Sequence, residues 1–161
     1  MAKTIVLLSC VAQKLDKAAP AKDLYQSDLF KKSLAYGESL SPSAMYILSA
    51  KHHLLPMSKK IEPYDMTLKD MKADERKEWA SKVVSQLKSK GHNLEKDKFI
   101  ILAGNAYNQY IIPELGNYEI PMKGKRIGQQ KQWLKNQIKE ITTKLTSILY
   151  EILKPYRKLS R

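Results

Sequence analysis

Three short apolar runs, each nearly unbroken and each ending in a polar step, constrain this chain more than any other feature of its sequence. They occupy residues 4–8 (TIVLL), 45–48 (MYIL) and 99–102 (FIIL). Alternation would mark strands with one wet face; continuous β-branched and aliphatic runs mark strands covered on both faces. Between the first two runs the pattern predicts a helix over 28–40, with Ser27 as N-cap and a stop at Ser41-Pro42. Between the second and third it predicts a helix over 74–90. Asp74 and Glu75 stand in its first turn, lysines in its last, and Gly91 caps it. Strand, helix, strand, helix, strand implies right-handed crossovers and a parallel sheet. A shorter helix is expected to begin at Asn105, with Asn105 as its cap, and to stop by Pro113. A fourth strand over 118–120, followed by Pro121, suits a sheet edge.

The fold class is therefore α/β: a small, mostly parallel three-layer sheet with flanking helices and a long basic C-terminal helix. At 161 residues the chain reads as one domain. Residues 1–126 would hold the sheet and its helices, 127–153 an amphipathic helix and 154–161 a basic tail. Leu134, Ile138, Ile141, Leu145, Ile148 and Ile152 recur at spacings of four and three along that helix. Such a seam is expected to pack against the sheet, with a homodimer through the C-terminal helix as the alternative. A hydrophobic content of 43% excludes a disordered chain, and the single cysteine, Cys10, excludes an internal disulfide. The apolar N-terminal run is too short for a secretory segment, and none approaches the roughly 20 residues of a membrane helix. The expectation is a cytoplasmic protein with no membrane partner.

Net charge is +13 and unevenly placed. After residue 120, eleven Lys or Arg accompany two Glu, whereas the first 120 residues carry eighteen basic and fourteen acidic side chains. A basic surplus weighted to one end points to a polyanionic partner, nucleic acid, and DNA ahead of RNA. Around residues 124–133 (GKRIGQQKQW) cations, glutamines and a tryptophan lie together. Lys123, Lys125, Arg126, Gln129, Lys131 and Lys135 are the candidates to track a phosphate backbone, with Trp133 stacking a base or packing in the core.

In open parallel sheets ligands bind beyond the carboxyl ends of the strands. Strand one runs into Ser9, Cys10 and Lys14; strand two into Ser49, Lys51, His52 and His53; strand three into Gly104, Asn105 and Tyr107. His52 is a candidate donor or general acid, or a histidine bonded to loop backbone. Adjacent histidines on an extended segment diverge, so no metal site is expected. In residues 61–65 (IEPYD), Pro63 stiffens a loop that carries Glu62, Tyr64 and Asp65. Gly104 would let a ligand approach the backbone, and the helix start beside it would accept an anion. No dinucleotide fingerprint or phosphate-binding loop is present, and no cofactor is expected.

Residues 5–10 (IVLLSC) with Lys14, Leu15 and Asp16, then Ala21 to Tyr25, Ser27 and Phe30, resemble a family of bacterial and phage domains of unknown function. Residues 47–55 (ILSAKHHLL), 61–65 (IEPYD) and 128–134 (GQQKQWL) extend that resemblance. Glycine is usual in that family where this chain has His53. More distantly, Ser9 with Lys14, Leu48-Ser49, Pro63-Tyr64, and the step from Ala103 to Tyr107 resemble the YaaA peroxide-stress family. The general layout is similar to uracil-DNA-glycosylase-like domains, without the glycosylase's water-activating motif. The resemblance implies DNA binding under oxidative stress, and it does not reach beyond about position 140.

Together these readings lead to a protein that binds nucleic acid or a nucleobase-containing ligand at its strand ends. As an enzyme it would be an N-glycosidic hydrolase acting on modified bases. Asp65 or Glu62 would then activate water, His52 or Asn105 would serve the departing base, and Tyr64 would stack it. The rival is a non-enzymatic DNA-binding stress protein of YaaA type.

Overall fold

The structure is a computed structural model and describes residues 1–158. Residues 159–161, the end of the expected basic tail, lie outside the described residues. In chain order the first elements are β1 (Thr4–Ser9), β2 (Ala19–Pro20), α1 (Ala21–Leu24), α2 (Asp28–Ser39), β3 (Ala44–Ser49), β4 (His53–Pro56) and β5 (Lys60–Ile61). They are followed by α3 (Ala73–Ser89), β6 (Lys98–Leu102), α4 (Asn105–Asn108), β7 (Tyr118–Glu119) and α5 (Ile127–Leu153).

The three apolar runs become the centre of a five-stranded sheet ordered β4-β3-β1-β6-β7. β1 pairs in parallel with both β3 and β6, and β7 adds a short parallel edge. Ile5 to Leu8 and Phe99 to Leu102 are buried, as strands covered on both faces must be. The β1-to-β3 connection leads to one side of β1 and the β4-to-β6 connection to the other. Right-handed crossovers in opposite directions set α2 and α3 on opposite faces, which makes three layers. α5 packs on α2, and α4 on α3. A Cβ on Gly37 would stand 2.9 Å from Met45 Sδ and 3.1 Å from Val6 Cγ1, so α2 rests its backbone against the sheet there.

Several details differ from the sequence expectation. The segment after β3 is not extended; it turns tightly and returns as β4, antiparallel to β3, with His53 opposite Ser49. His53 closes that turn at φ +59°, a left-handed conformation that favours glycine. α4 is a single turn capped by Gly104, so Asn105 is its first helical residue rather than its cap. A 3-10 turn at Ile112–Glu114 takes up Pro113. The seam of α5 meets α2 instead of the sheet. Leu134 is fully buried and Ile138 and Ile141 lie against the core, whereas Leu145, Ile148 and Ile152 are each more than half exposed.

Candidate functional site

The ends of β1 and β3 are roofed by two loops that staple to each other. The segment after β1 folds back on itself through the Leu15 N–H to Leu24 carbonyl bond (2.9 Å) and the Gln26 N–H to Gln13 carbonyl bond (2.8 Å). β2 then pairs antiparallel with β5, which carries the chain into the loop bearing Pro63, Tyr64 and Asp65. This arrangement brings Tyr25 and Tyr64 onto the strand ends from opposite loops.

A chain of hydroxyls results. Ser49 Oγ, fully buried, accepts from the His52 backbone N–H (2.9 Å) and shares a hydrogen bond with the Tyr64 hydroxyl (2.7 Å). Tyr64 in turn shares one with the Tyr25 hydroxyl (2.6 Å). The Trp79 indole N–H donates to the Ser49 carbonyl (2.9 Å), fixing the base of the chain. Cys10 Sγ lies 3.3 Å from the Tyr107 hydroxyl, and Trp79 packs edge-on against the Tyr107 ring. Burial pushes the Tyr25 hydroxyl up to about 12 and drives Tyr64 and Tyr107 upward too. These hydroxyls therefore stay protonated near neutrality and act as hydrogen-bonding groups, not bases.

Positive charge gathers over the same spot. Lys14 Nζ lies 4.5 Å from the Tyr64 ring centroid and Lys51 Nζ 6.0 Å from it. The His52 ring meets Tyr64 edge-on at 5.4 Å. Burial lowers the Lys14 pKa, while the neighbouring Asp65 carboxylate pulls it back up. Burial also lowers His52, helped by the charges of Lys51, Lys59 and His53. His52 is thus a neutral imidazole near pH 7, and its buried Nε2 meets no hydrogen-bond partner. Two ammonium groups thus stand over a set of mutually bonded hydroxyls and a buried imidazole nitrogen without a partner. An anionic ligand bearing hydrogen-bonding groups complements this arrangement.

The other expected site residues fall around this cluster. Ser9 is half-buried and donates its hydroxyl to the Cys10 carbonyl (3.0 Å). Glu62 and Asp65 are exposed, with Asp65 close enough to Lys14 to act on its charge. Gly104 and Asn105 are exposed at the start of α4, and a Cβ at Gly104 would meet open space. Tyr25, Trp79 and Asn108 carry structural weight at the site that the sequence reading did not assign. The Asn108 amide donates to the Ala103 carbonyl at the end of β6 (2.9 Å). Tyr25 lies within a block quoted above, but nothing in a loop tyrosine announces which strand end it will reach. Among the described residues no three His, Cys, Asp or Glu side chains gather as metal ligands, and no helix is long and apolar enough to cross a membrane.

A second feature lies at the start of α5. Lys123, Gly124, Lys125, Gln129, Gln132, Trp133 and Asn136 line an open groove of about 490 Å³. Trp133 packs edge-on against Tyr36 at 5.1 Å, in keeping with its expected core role, and also lines the groove. Gln129 accepts from the Arg126 backbone N–H (2.9 Å) and so starts the helix. Lys131 pairs with Asp28 of α2 at 3.6 Å. Lys123, Lys125, Arg126 and Lys135 form no ion pair among the described residues.

The fold and these features define a doubly wound α/β domain with a cationic, hydroxyl-lined site where its central strands end. Within that class the chain belongs to a family of unknown function, DUF6884, whose model matches residues 5–136. No curated protein and no solved structure matches it.

Proposed function

We propose that this protein binds nucleic acid or a nucleotide, taking the phosphate-bearing ligand at the ends of β1 and β3. The observation that carries the reading is the convergence of Lys14 and Lys51 on the ring of Tyr64, beside a neutral His52 whose buried Nε2 has no partner. An anion seated at this ring would draw on both ammonium charges. Ligands of open α/β sheets bind at this end of the strands. The groove along Lys123, Lys125 and Trp133 supplies a second surface of the same character, with cations for phosphates and a ring for a base. DNA-binding stress protection, the setting implied by the sequence's resemblance to the YaaA family, would fit this chemistry.

Trp79, bonded to the Ser49 carbonyl, makes tryptophan fluorescence a local reporter of the strand ends in a Trp133→Phe background. Titration with nucleoside monophosphates, the matching nucleosides, and single- and double-stranded oligonucleotides should rank the phosphorylated ligands first. Lys14→Ala and Lys51→Ala should each weaken nucleotide binding about tenfold, a usual loss for a charged hydrogen bond. Equal affinity of the Lys14→Ala/Lys51→Ala double variant and the parent for nucleotides would refute the site.

One observation favours an enzymatic reading: Asp65, on the rim of the cluster, sets a carboxylate beside Lys14 and within the same loop as Tyr64. In N-glycosidic cleavage it would activate water or steady the oxocarbenium ion while Tyr64 stacks the base. Asp65→Asn should then lower base release from modified DNA by roughly 100-fold or more and leave binding intact. Chromatography of released bases checks this, and no release by the parent from any modified duplex would leave the binding role alone.

A further inference from the structure

The second half of α5 carries an apolar stripe that nothing covers among the described residues. Leu145, Ile148 and Ile152 are 56%, 55% and 57% exposed, with Leu149 and Leu153 beside them. Upstream the same seam serves the protein's own core, fully at Leu134 and only partly at Ile138 and Ile141, which keep some exposed surface. One helix therefore serves the body with its first half and leaves an identical pattern free in its second. The family match ends at residue 136, before the free part begins.

We infer that this free half is a self-association surface, pairing antiparallel with α5 of a second copy of the chain. Spacings of three and four place residues 134, 141 and 148 at one core position of a heptad and 138, 145 and 152 at the other. In an antiparallel pair Leu145 then layers with the partner's Ile148, and Ile141 with the partner's Ile152. Each layer occurs twice by symmetry. Lys144 and Glu151 flank these layers on one side, so each Lys144 faces the partner's Glu151, again twice. A parallel pair would instead set Lys144 against the partner's Leu149 and leave Glu151 with no helical residue opposite, since α5 ends at Leu153. Charge complementarity therefore selects a second copy and its direction. Both groups are free to exchange: among the described residues Lys144 has no ion pair, and Glu151 has one exposed contact, with Lys154 at 3.7 Å.

The polar side of the same stretch argues against a lipid surface. It presents Thr142, Thr143, Thr146 and Ser147, and residues 139–151 hold two lysines against two glutamates. Helices that lie on anionic membranes carry a cation-rich polar face. The overlap of about twelve residues is about 18 Å long, short for a coiled coil, so the dimer forms at micromolar rather than nanomolar concentration. Its two basic grooves would stand about 50 Å apart along the paired helices.

Analytical ultracentrifugation of the full chain, without nucleic acid, from about 1 to 300 µM tests the assignment. The parent should approach twice its mass of 18.5 kDa across this range. Ile148→Glu should stay monomeric with an unchanged thermal midpoint, since Ile148 contributes nothing to the core. Lys144→Glu and Glu151→Lys should each weaken association roughly tenfold by creating two like-charge pairs. The double variant Lys144→Glu/Glu151→Lys should recover the parent's affinity. A parent that remains monomeric at 300 µM overturns the proposal, as does a double variant no better than the single ones.

Discussion

His53 holds a backbone conformation that most L-residues avoid, because the turn from β3 into β4 reverses the chain within three residues. A glycine, which the family resemblance leads one to expect here, would adopt that conformation without strain. Histidine tolerates the left-handed region better than branched residues but still bears a cost of about 1 kcal/mol. Its ring is half-buried, and burial and the charge of Lys82 keep it below the usual histidine range. His53→Gly should relieve the backbone and lose some unfolded-state entropy advantage, for a net gain of about 0.5 kcal/mol. Chemical denaturation should show a higher midpoint at the same slope. A lower midpoint would mean that the imidazole packing outweighs the strain. Ser49 was legible as a strand-end polar residue, but its partners were not. Tyr64 lies 15 residues after Ser49 and Tyr25 lies 39 residues before Tyr64, and the pairing of β2 with β5 helps bring them together.

At the scale of elements, the central strands and the long helices were readable because each carries a strong local signal. Continuous apolar runs gave β1, β3 and β6 to within a residue, and Ser27 caps α2 through the Phe30 N–H (3.1 Å) as its position suggested. β4 escaped because its four residues follow β3 through a turn with neither glycine nor asparagine, so nothing local marks the reversal. The direction in which α5 presents its seam was equally hidden. Periodicity states that a helix has an apolar side, not which neighbour will cover it, and here α2 covers the first half only. Asn105 and the single turn of α4 show the same limit. A cap residue and the first helical residue differ by one position, which propensity does not separate.

For the whole molecule, charge decides how it meets a partner. Lys123 and Lys125 line the groove at the start of α5 and Lys135 follows, exposed, on the same helix, while Lys131 is partly neutralised by Asp28. Each phosphate contact adds about 0.7 to the slope of log affinity against log salt for single strands, and about 0.9 for duplex DNA. Reversing Lys123, Lys125 and Lys135 to Glu should therefore flatten that slope by about 2 to 3. The loss of affinity should be greatest at low salt and nearly the same for different sequences, because phosphate contacts carry no sequence information. The three side chains are exposed or half-exposed, so the thermal midpoint should not move. Binding of a nucleoside monophosphate should survive the triple reversal, since Lys14 and Lys51 form a separate cluster at the strand ends. Fluorescence anisotropy with labelled single- and double-stranded oligonucleotides over 50 to 300 mM salt measures the slope directly. An unchanged slope in a folded variant would show that the groove is solvated surface and that polyanions bind at the strand ends alone.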